Sequence, residues 1–128
     1  MAHITALYAG VLAILIVVLA NRVSAVRRSA AVSLGDGGNE LLVRRIRVHG
    51  NATENIPIGL LIMLVLELNG SSSALLHGLG ASLTVGRLAH VQGLSGSAGT
   101  SVGRLLGTGL TWGTIAVGAV VAIVTYAR

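Results

Sequence analysis

Four stretches of this chain are almost free of charge: Ile4–Ala20, Ile56–Leu68, Ala74–Ala89 and Leu105–Ala127. A helix needs about 20 predominantly apolar residues to cross the hydrocarbon of a bilayer. The first and last runs approach that length, and the middle two reach it when their polar flanks are included. A backbone in lipid must satisfy its own hydrogen bonds, which leaves helices as the economical solution for runs of this kind. The chain is therefore expected to be all-α, a four-transmembrane-helix bundle in up-down-up-down order. With 128 residues there is room for one domain only, spanning residues 1–128. Composition agrees: 53% of the residues are hydrophobic and only 10% are charged, against about 25% charged in an ordinary soluble domain. Val23-Ser24-Ala25 resembles a signal cleavage site. No positive charge precedes the first apolar run, and that run is long for a signal, so cleavage is not expected.

The charge balance separates a membrane partner from a nucleic acid. All nine basic residues are arginine, and the isoelectric point is near 11.5. Arg22, Arg27, Arg28, Arg44, Arg45 and Arg47 flank the first connection between apolar runs, and Arg87 and Arg104 flank the third. The second connection, Asn69-Gly70-Ser71-Ser72-Ser73, carries no cation. If the helices alternate, all of these arginines lie on one side, which the positive-inside rule places in the cytoplasm with both termini outside. Arg128 is the exception. The partner implied is a lipid bilayer, and nucleic acid is not expected. Cysteine is absent, so any reactive sulfur has to come from a ligand. No metal site is expected.

The densest polar chemistry sits where the second run begins, in Arg44-Arg45-Ile46-Arg47-Val48-His49-Gly50-Asn51-Ala52-Thr53-Glu54-Asn55-Ile56-Pro57. At helical spacing, Arg44, Arg47, Asn51 and Glu54 fall within about 80° of one another, with Arg45 and His49 pointing roughly the other way. Cations, an amide and a carboxylate on one stripe of a helix that enters lipid call for partners or a ligand; the alternative is a solvated extension anchored at the headgroups. Arginine forks bind carboxylates bidentately, while Glu54 and Asn51 suit an ammonium or amide. The guest implied is small and multiply anionic and carries one positive group, as does a peptide with two carboxylates and an α-amine.

Other features read as structural. Ser33-Leu34-Gly35-Asp36-Gly37-Gly38 is expected to be a plain turn, because it lacks the lysine of a phosphate loop, and Asn39 should cap the second helix. That helix, running to Leu68, would be roughly 45 Å long and contains Pro57. Gly78, Ser82 and Gly86 on helix 3, and Gly103, Gly107, Gly109 and Gly113 on helix 4, would let helix backbones approach closely. Glu67 and His77 are expected to be solvated at the interface.

Taken together, these residues resemble the family of membrane-associated proteins in eicosanoid and glutathione metabolism (MAPEG), and within it a small bacterial inner-membrane branch. The residues that carry the resemblance are Gly35-Asp36-Gly37-Gly38, Glu40-Leu41, Arg47-Val48-His49-Gly50-Asn51-Ala52 with Glu54, Ile56-Pro57-Ile58, Glu67 with Asn69-Gly70, and Gly86-Arg87-Leu88 with His90. The resemblance implies a homotrimer of four-helix bundles, with glutathione as co-substrate bound between adjacent subunits. It assigns the grip on glutathione to Arg27, Arg28, Arg47, His49, Asn51 and Glu54, and the catalytic contact with the thiolate to Arg104. Two positions depart from the eicosanoid enzymes: Asn55 stands where they have tyrosine, and Leu94 stands near their late helix 3 tyrosines. Asn55 does match the microsomal transferase branch.

The function expected is a glutathione transferase or peroxidase acting on a lipophilic small molecule. A non-catalytic membrane subunit or scaffold of a larger assembly is the alternative, favoured by the scarcity of aromatic residues: one Trp, two Tyr and no Phe. A four-helix drug exporter would need a carboxylate on helix 1, and helix 1 has none.

Overall fold

The computed structural model describes residues 1–96 and 101–127. Arg128, the exception to the arginine asymmetry, lies outside the described residues. The described chain forms four helices and no strands: α1 (His3–Ser29), α2 (Glu40–Leu68), α3 (Ser73–Gly96) and α4 (Val102–Tyr126). Three of them, α1, α2 and α4, are long and apolar enough to cross a membrane. The sequence-based expectation of four apolar spans is thus met in helix number but not in hydropathy. In α3, His77, Ser82, Thr84, Arg87, His90, Gln92 and Ser95 dilute the apolar surface. Yet Arg87 and His90 are buried, which is the arrangement polar side chains require inside a bundle.

α2 is the central element. It packs against each of the other three helices, whereas α1 and α4 do not meet among the described residues. Its buried positions, Leu42, Val48, Ala52, Ile56, Gly59, Met63 and Leu66, recur every three or four residues after the first step, which keeps one face inward along the whole helix. Asn39 caps it as expected, its side chain accepting from the Leu42 amide at 3.0 Å. Pro57 lies inside the helix, which continues through it to Leu68. The glycine segment before it is a turn in which Gly35, Gly37 and Gly38 all have positive φ. The Asp36 carboxylate accepts from the Gly38 amide at 2.9 Å, so this turn spends its own amide internally.

At the opposite end of α2, Glu67 has a structural role. α1 has Ala2 at its N-cap position, which supplies no side-chain cap, so its first amides need acceptors from elsewhere. The Glu67 carboxylate supplies them, accepting from Ile4 N at 2.8 Å and from Thr5 N at 2.7 Å. A negative group at the positive end of a helix is stabilising. Beside it, the Tyr8 hydroxyl donates to the His77 carbonyl at 3.2 Å and lies 3.1 Å from His77 Nδ1. The expectation that Glu67 is merely solvated is therefore corrected, because its carboxylate ties the start of α1 to α2; His77 remains exposed, as expected, while meeting Tyr8.

Between apolar helices in lipid, close packing of small residues does most of the joining. α3 and α4 meet where Gly86 and Gly93 face Gly103 and Gly107. A Cβ on Gly107 would stand 2.6 Å from the Gly86 carbonyl oxygen, and one on Gly86 would stand 3.1 Å from the Gly107 carbonyl oxygen. Gly78, Gly109 and Gly113, which share the same spacing in sequence, face open space. Large apolar side chains on the outer faces, such as Ile14, Val17, Leu105, Val120 and Ile123, remain exposed on the single chain, as expected of surfaces that meet lipid.

Candidate functional site

The α2 stripe meets the first turn of α4 and the late part of α3. Ser101 caps α4, accepting from Arg104 N at 3.3 Å, and the close approach of Gly93 to the backbone at Arg104 brings that residue against α3. Two adjoining clefts result. The smaller, about 220 Å³, is lined by Arg44, Arg47, Asn51, His90 and Arg104, with Val43 and Leu94 as its apolar wall. The larger, about 490 Å³, is lined by Asn51, Glu54, Asn55, Arg87, His90, Arg104 and Thr108, with Ile58 and Trp112. Asn51, His90 and Arg104 border both clefts.

All four residues of the predicted stripe therefore face this site, and Arg104 joins them from a distant part of the chain. The smaller cleft has three guanidinium groups and no carboxylate in its lining. Arg44 Nε is buried there without a hydrogen-bond partner among the described residues. A buried donor left unmatched is costly, so this cleft is suited to an anionic guest. Glu54 borders only the larger cleft, which separates the acidic group from the cationic end.

Arg87 forms the floor of the larger cleft and is 2% exposed. Its Nε donates to Thr111 Oγ1 at 2.8 Å, its Nη2 to the Gly107 carbonyl at 3.3 Å and its Nη1 to Asn51 Oδ1 at 2.7 Å. Thr111 Oγ1 in turn donates to the Gly107 carbonyl at 2.7 Å. Asn51 is thereby held from behind by its oxygen, leaving its NH₂ as the group it can offer a ligand. The Asn55 amide donates to the Asn51 carbonyl at 2.9 Å. Sequence periodicity places Asn51 on the stripe but gives no sign of this buried tether. A cation and a hydroxyl more than 20 positions apart show no pattern until α3 and α4 are packed. His90, Thr108 and Trp112 are further members that residue patterns alone did not single out as site groups.

Three predicted residues lie elsewhere on the single chain. His49 is half-buried and lines neither cleft. Arg27 donates to the Gly35 carbonyl at 2.7 Å, and with Arg28 it borders a separate shallow hollow formed by Ala31, Val32 and Ser33. One chain thus gathers Arg47, Asn51, Glu54 and Arg104, but not Arg27, Arg28 or His49.

Comparison with known proteins finds relatives in membranes. An inner membrane protein of Escherichia coli K12, YecN, is 41% identical to this chain over 90 residues, which cover 70% of this chain and 69% of the relative. YecN of E. coli O6:H1 strain CFT073 matches with the same identity and the same coverage. No solved structure matches the chain. The family model of the MAPEG family matches residues 5–124, nearly the whole sequence. With apolar helices of membrane-crossing length and this match, the chain is a membrane protein that belongs to the MAPEG family.

Proposed function

We propose that the chain binds glutathione in the paired clefts and uses it as the nucleophile in a transferase reaction on lipophilic electrophiles. The observation that carries this reading is the smaller cleft, where Arg44 and Arg47 from α2 and Arg104 from α4 converge with an unpartnered Arg44 Nε. Guanidinium forks fit the two carboxylates of the tripeptide. Glu54, at the edge of the larger cleft, fits its α-ammonium, and the Asn51 NH₂ fits a peptide carbonyl. The sulfur comes from the ligand, as a chain without cysteine requires. In the reaction, the thiolate sulfur forms a bond to an electrophilic carbon. The leaving group, or the opened ring oxygen, takes the electron pair, and the thiol proton has passed to solvent. Ile58 and Trp112 give the larger cleft an apolar side that suits the lipophilic partner. Trp112 is the chain's one tryptophan, so the aromatic scarcity that favoured a non-catalytic subunit is relieved only at this cleft.

The same reading includes a homotrimer in an inner membrane. Arg27, Arg28 and His49, which are distant from the clefts within one chain, then reach the ligand of an adjacent subunit. Both termini lie outside the cytoplasm, an orientation supported by the arginines around the first and third connections. A periplasm-dependent reporter fused after Arg128 is expected to be active, and activity confined to a cytoplasmic reporter overturns the orientation.

Calorimetric titration of the purified protein with glutathione tests the binding reading. Arg47→Ala and Glu54→Ala are each expected to weaken binding by about 1–3 kcal/mol, the range for losing a charge-assisted partner. His49→Ala has a comparable effect if a neighbouring subunit uses it, and a smaller one otherwise. Unchanged affinity in all three variants removes glutathione from this site.

A further inference from the structure

A second groove lies away from these clefts, between α1 and α3. It has a volume of about 570 Å³ and is lined by Leu15, Val18, Leu19 and Arg22 on one side and by Val85, Leu88, Ala89, Val91 and Gln92 on the other. Each wall repeats at three- and four-residue steps, 15, 18, 19, 22 on α1 and 85, 88, 89, 92 on α3, so each is a single helix stripe. The two helices touch at one end, where Tyr8 meets His77 and Gly80. If α1 and α3 keep the offset of about 70 residues set by Tyr8 and His77, Leu15 comes level with Val85 and Arg22 with Gln92, and all four line the groove. The groove is therefore apolar along its length and ends, on both walls at one level, in a guanidinium and an amide. It runs roughly 10 Å along the helices from Leu15 to Arg22. Arg22 is exposed and has no hydrogen-bond partner among the described residues.

We infer that this groove holds an anionic phospholipid, with an acyl chain between the α1 and α3 stripes and the phosphate on Arg22, assisted by the Gln92 amide. Charge complementarity decides the occupant. The walls offer only apolar contact to a chain, and the one charge is a cation at the end nearer Arg27 and Arg28, where a headgroup sits in a membrane protein with its arginines at that interface. A second copy of the chain would have to bring an acidic group to Arg22 from an apolar helix face. The four acidic residues are Asp36, Glu40, Glu54 and Glu67. Of these, Asp36 holds the Gly38 amide, Glu67 caps α1 and Glu54 borders the glutathione cleft. Glu40, exposed in the first turn of α2, is the one carboxylate a second copy has to offer, and the Leu88→Trp variant below separates that case. A free lipophilic substrate would leave the guanidinium unmatched.

The full-length protein, purified in a mild non-ionic detergent, is titrated with dioleoyl phosphatidylglycerol or dioleoyl phosphatidylcholine, and bound lipids are counted by native mass spectrometry. The expected result is a tight site that prefers phosphatidylglycerol. Arg22→Gln weakens that site about tenfold, as loss of one charge-assisted contact predicts. Arg28→Gln, at the same end but outside the groove, leaves it unchanged. Leu88→Trp, on the exposed rim, blocks the groove and lowers retention of both lipids. The inference is overturned if phosphatidylcholine binds equally well, or if Arg28→Gln lowers retention as much as Arg22→Gln, which marks a general surface-charge effect. It is overturned equally if Leu88→Trp changes the number of chains in the particle without changing lipid retention, which assigns the groove to a second copy. Glutathione affinity is measured on Arg22→Gln and Leu88→Trp, neither of which touches the glutathione clefts, and stays constant, so failure here is separable from failure of the glutathione reading.

Discussion

Gly107→Leu is expected to leave no folded protein in the membrane. A Cβ at Gly107 would stand 2.6 Å from both the Gly86 carbonyl oxygen and the His90 Cβ, on the facing helix. Side chains in a core can yield to a new methylene at a cost of about 1–3 kcal/mol. Here the obstacles include the backbone of α3, so the two helices have to separate. Separation also removes the Gly107 carbonyl from Arg87 Nη2 and pulls Thr111 from Arg87 Nε, stranding a cation among apolar residues. Gly109→Leu is the matched control, because nothing lies within 4 Å of a Cβ there. Yield after detergent extraction and the thermal transition of the purified protein report the difference. A Gly107→Leu variant as stable as wild type would contradict the observed α3–α4 approach. A severe loss in Gly109→Leu would show instead that another chain packs on that open face.

Arg104→Ala is expected to reduce turnover about 10²-fold while changing glutathione affinity far less. The expectation rests on the proposed reaction and on the position of Arg104 at both clefts. Removing one preorganised group that stabilises charge in a reacting state commonly costs this much. A cation beside a thiol favours its deprotonated form, so its removal raises the pKa of the bound thiol. At neutral pH less thiolate is present, and activity should recover as pH rises. Thiolate absorbance of bound glutathione, followed against pH, reports the shift directly. Arg104→Lys should restore only part of the rate, because an ammonium lacks the planar fork. If Arg104→Ala titrates and turns over like wild type, Arg104 is an interfacial anchor whose stem lies along apolar surface.

The two predictions depend on different kinds of information. Helix number, the low charge content, the capping of α2 by Asn39 and the turn at residues 35–38 are local matters. They follow from hydrophobic runs, side-chain reach and positive φ at glycine, and all of them are readable in the sequence. So is the stripe Arg44, Arg47, Asn51, Glu54, because helical periodicity alone puts those side chains on one face. Tertiary structure decided which distant groups meet that face. Periodicity carries no information about the rotation of α3 and α4 around α2, so it could not pair Arg87 with Asn51 and Thr111. Nor could it choose Gly86, Gly93, Gly103 and Gly107 over Gly78, Gly109 and Gly113 as the contact stripe. It also missed Glu67, whose carboxylate serves amides 62 and 63 positions earlier. A local pattern shows only that such a group is polar and near a helix end. The donor that completes it is fixed by packing, and in a chain with so few charges each such pairing has large consequences for both the fold and the site.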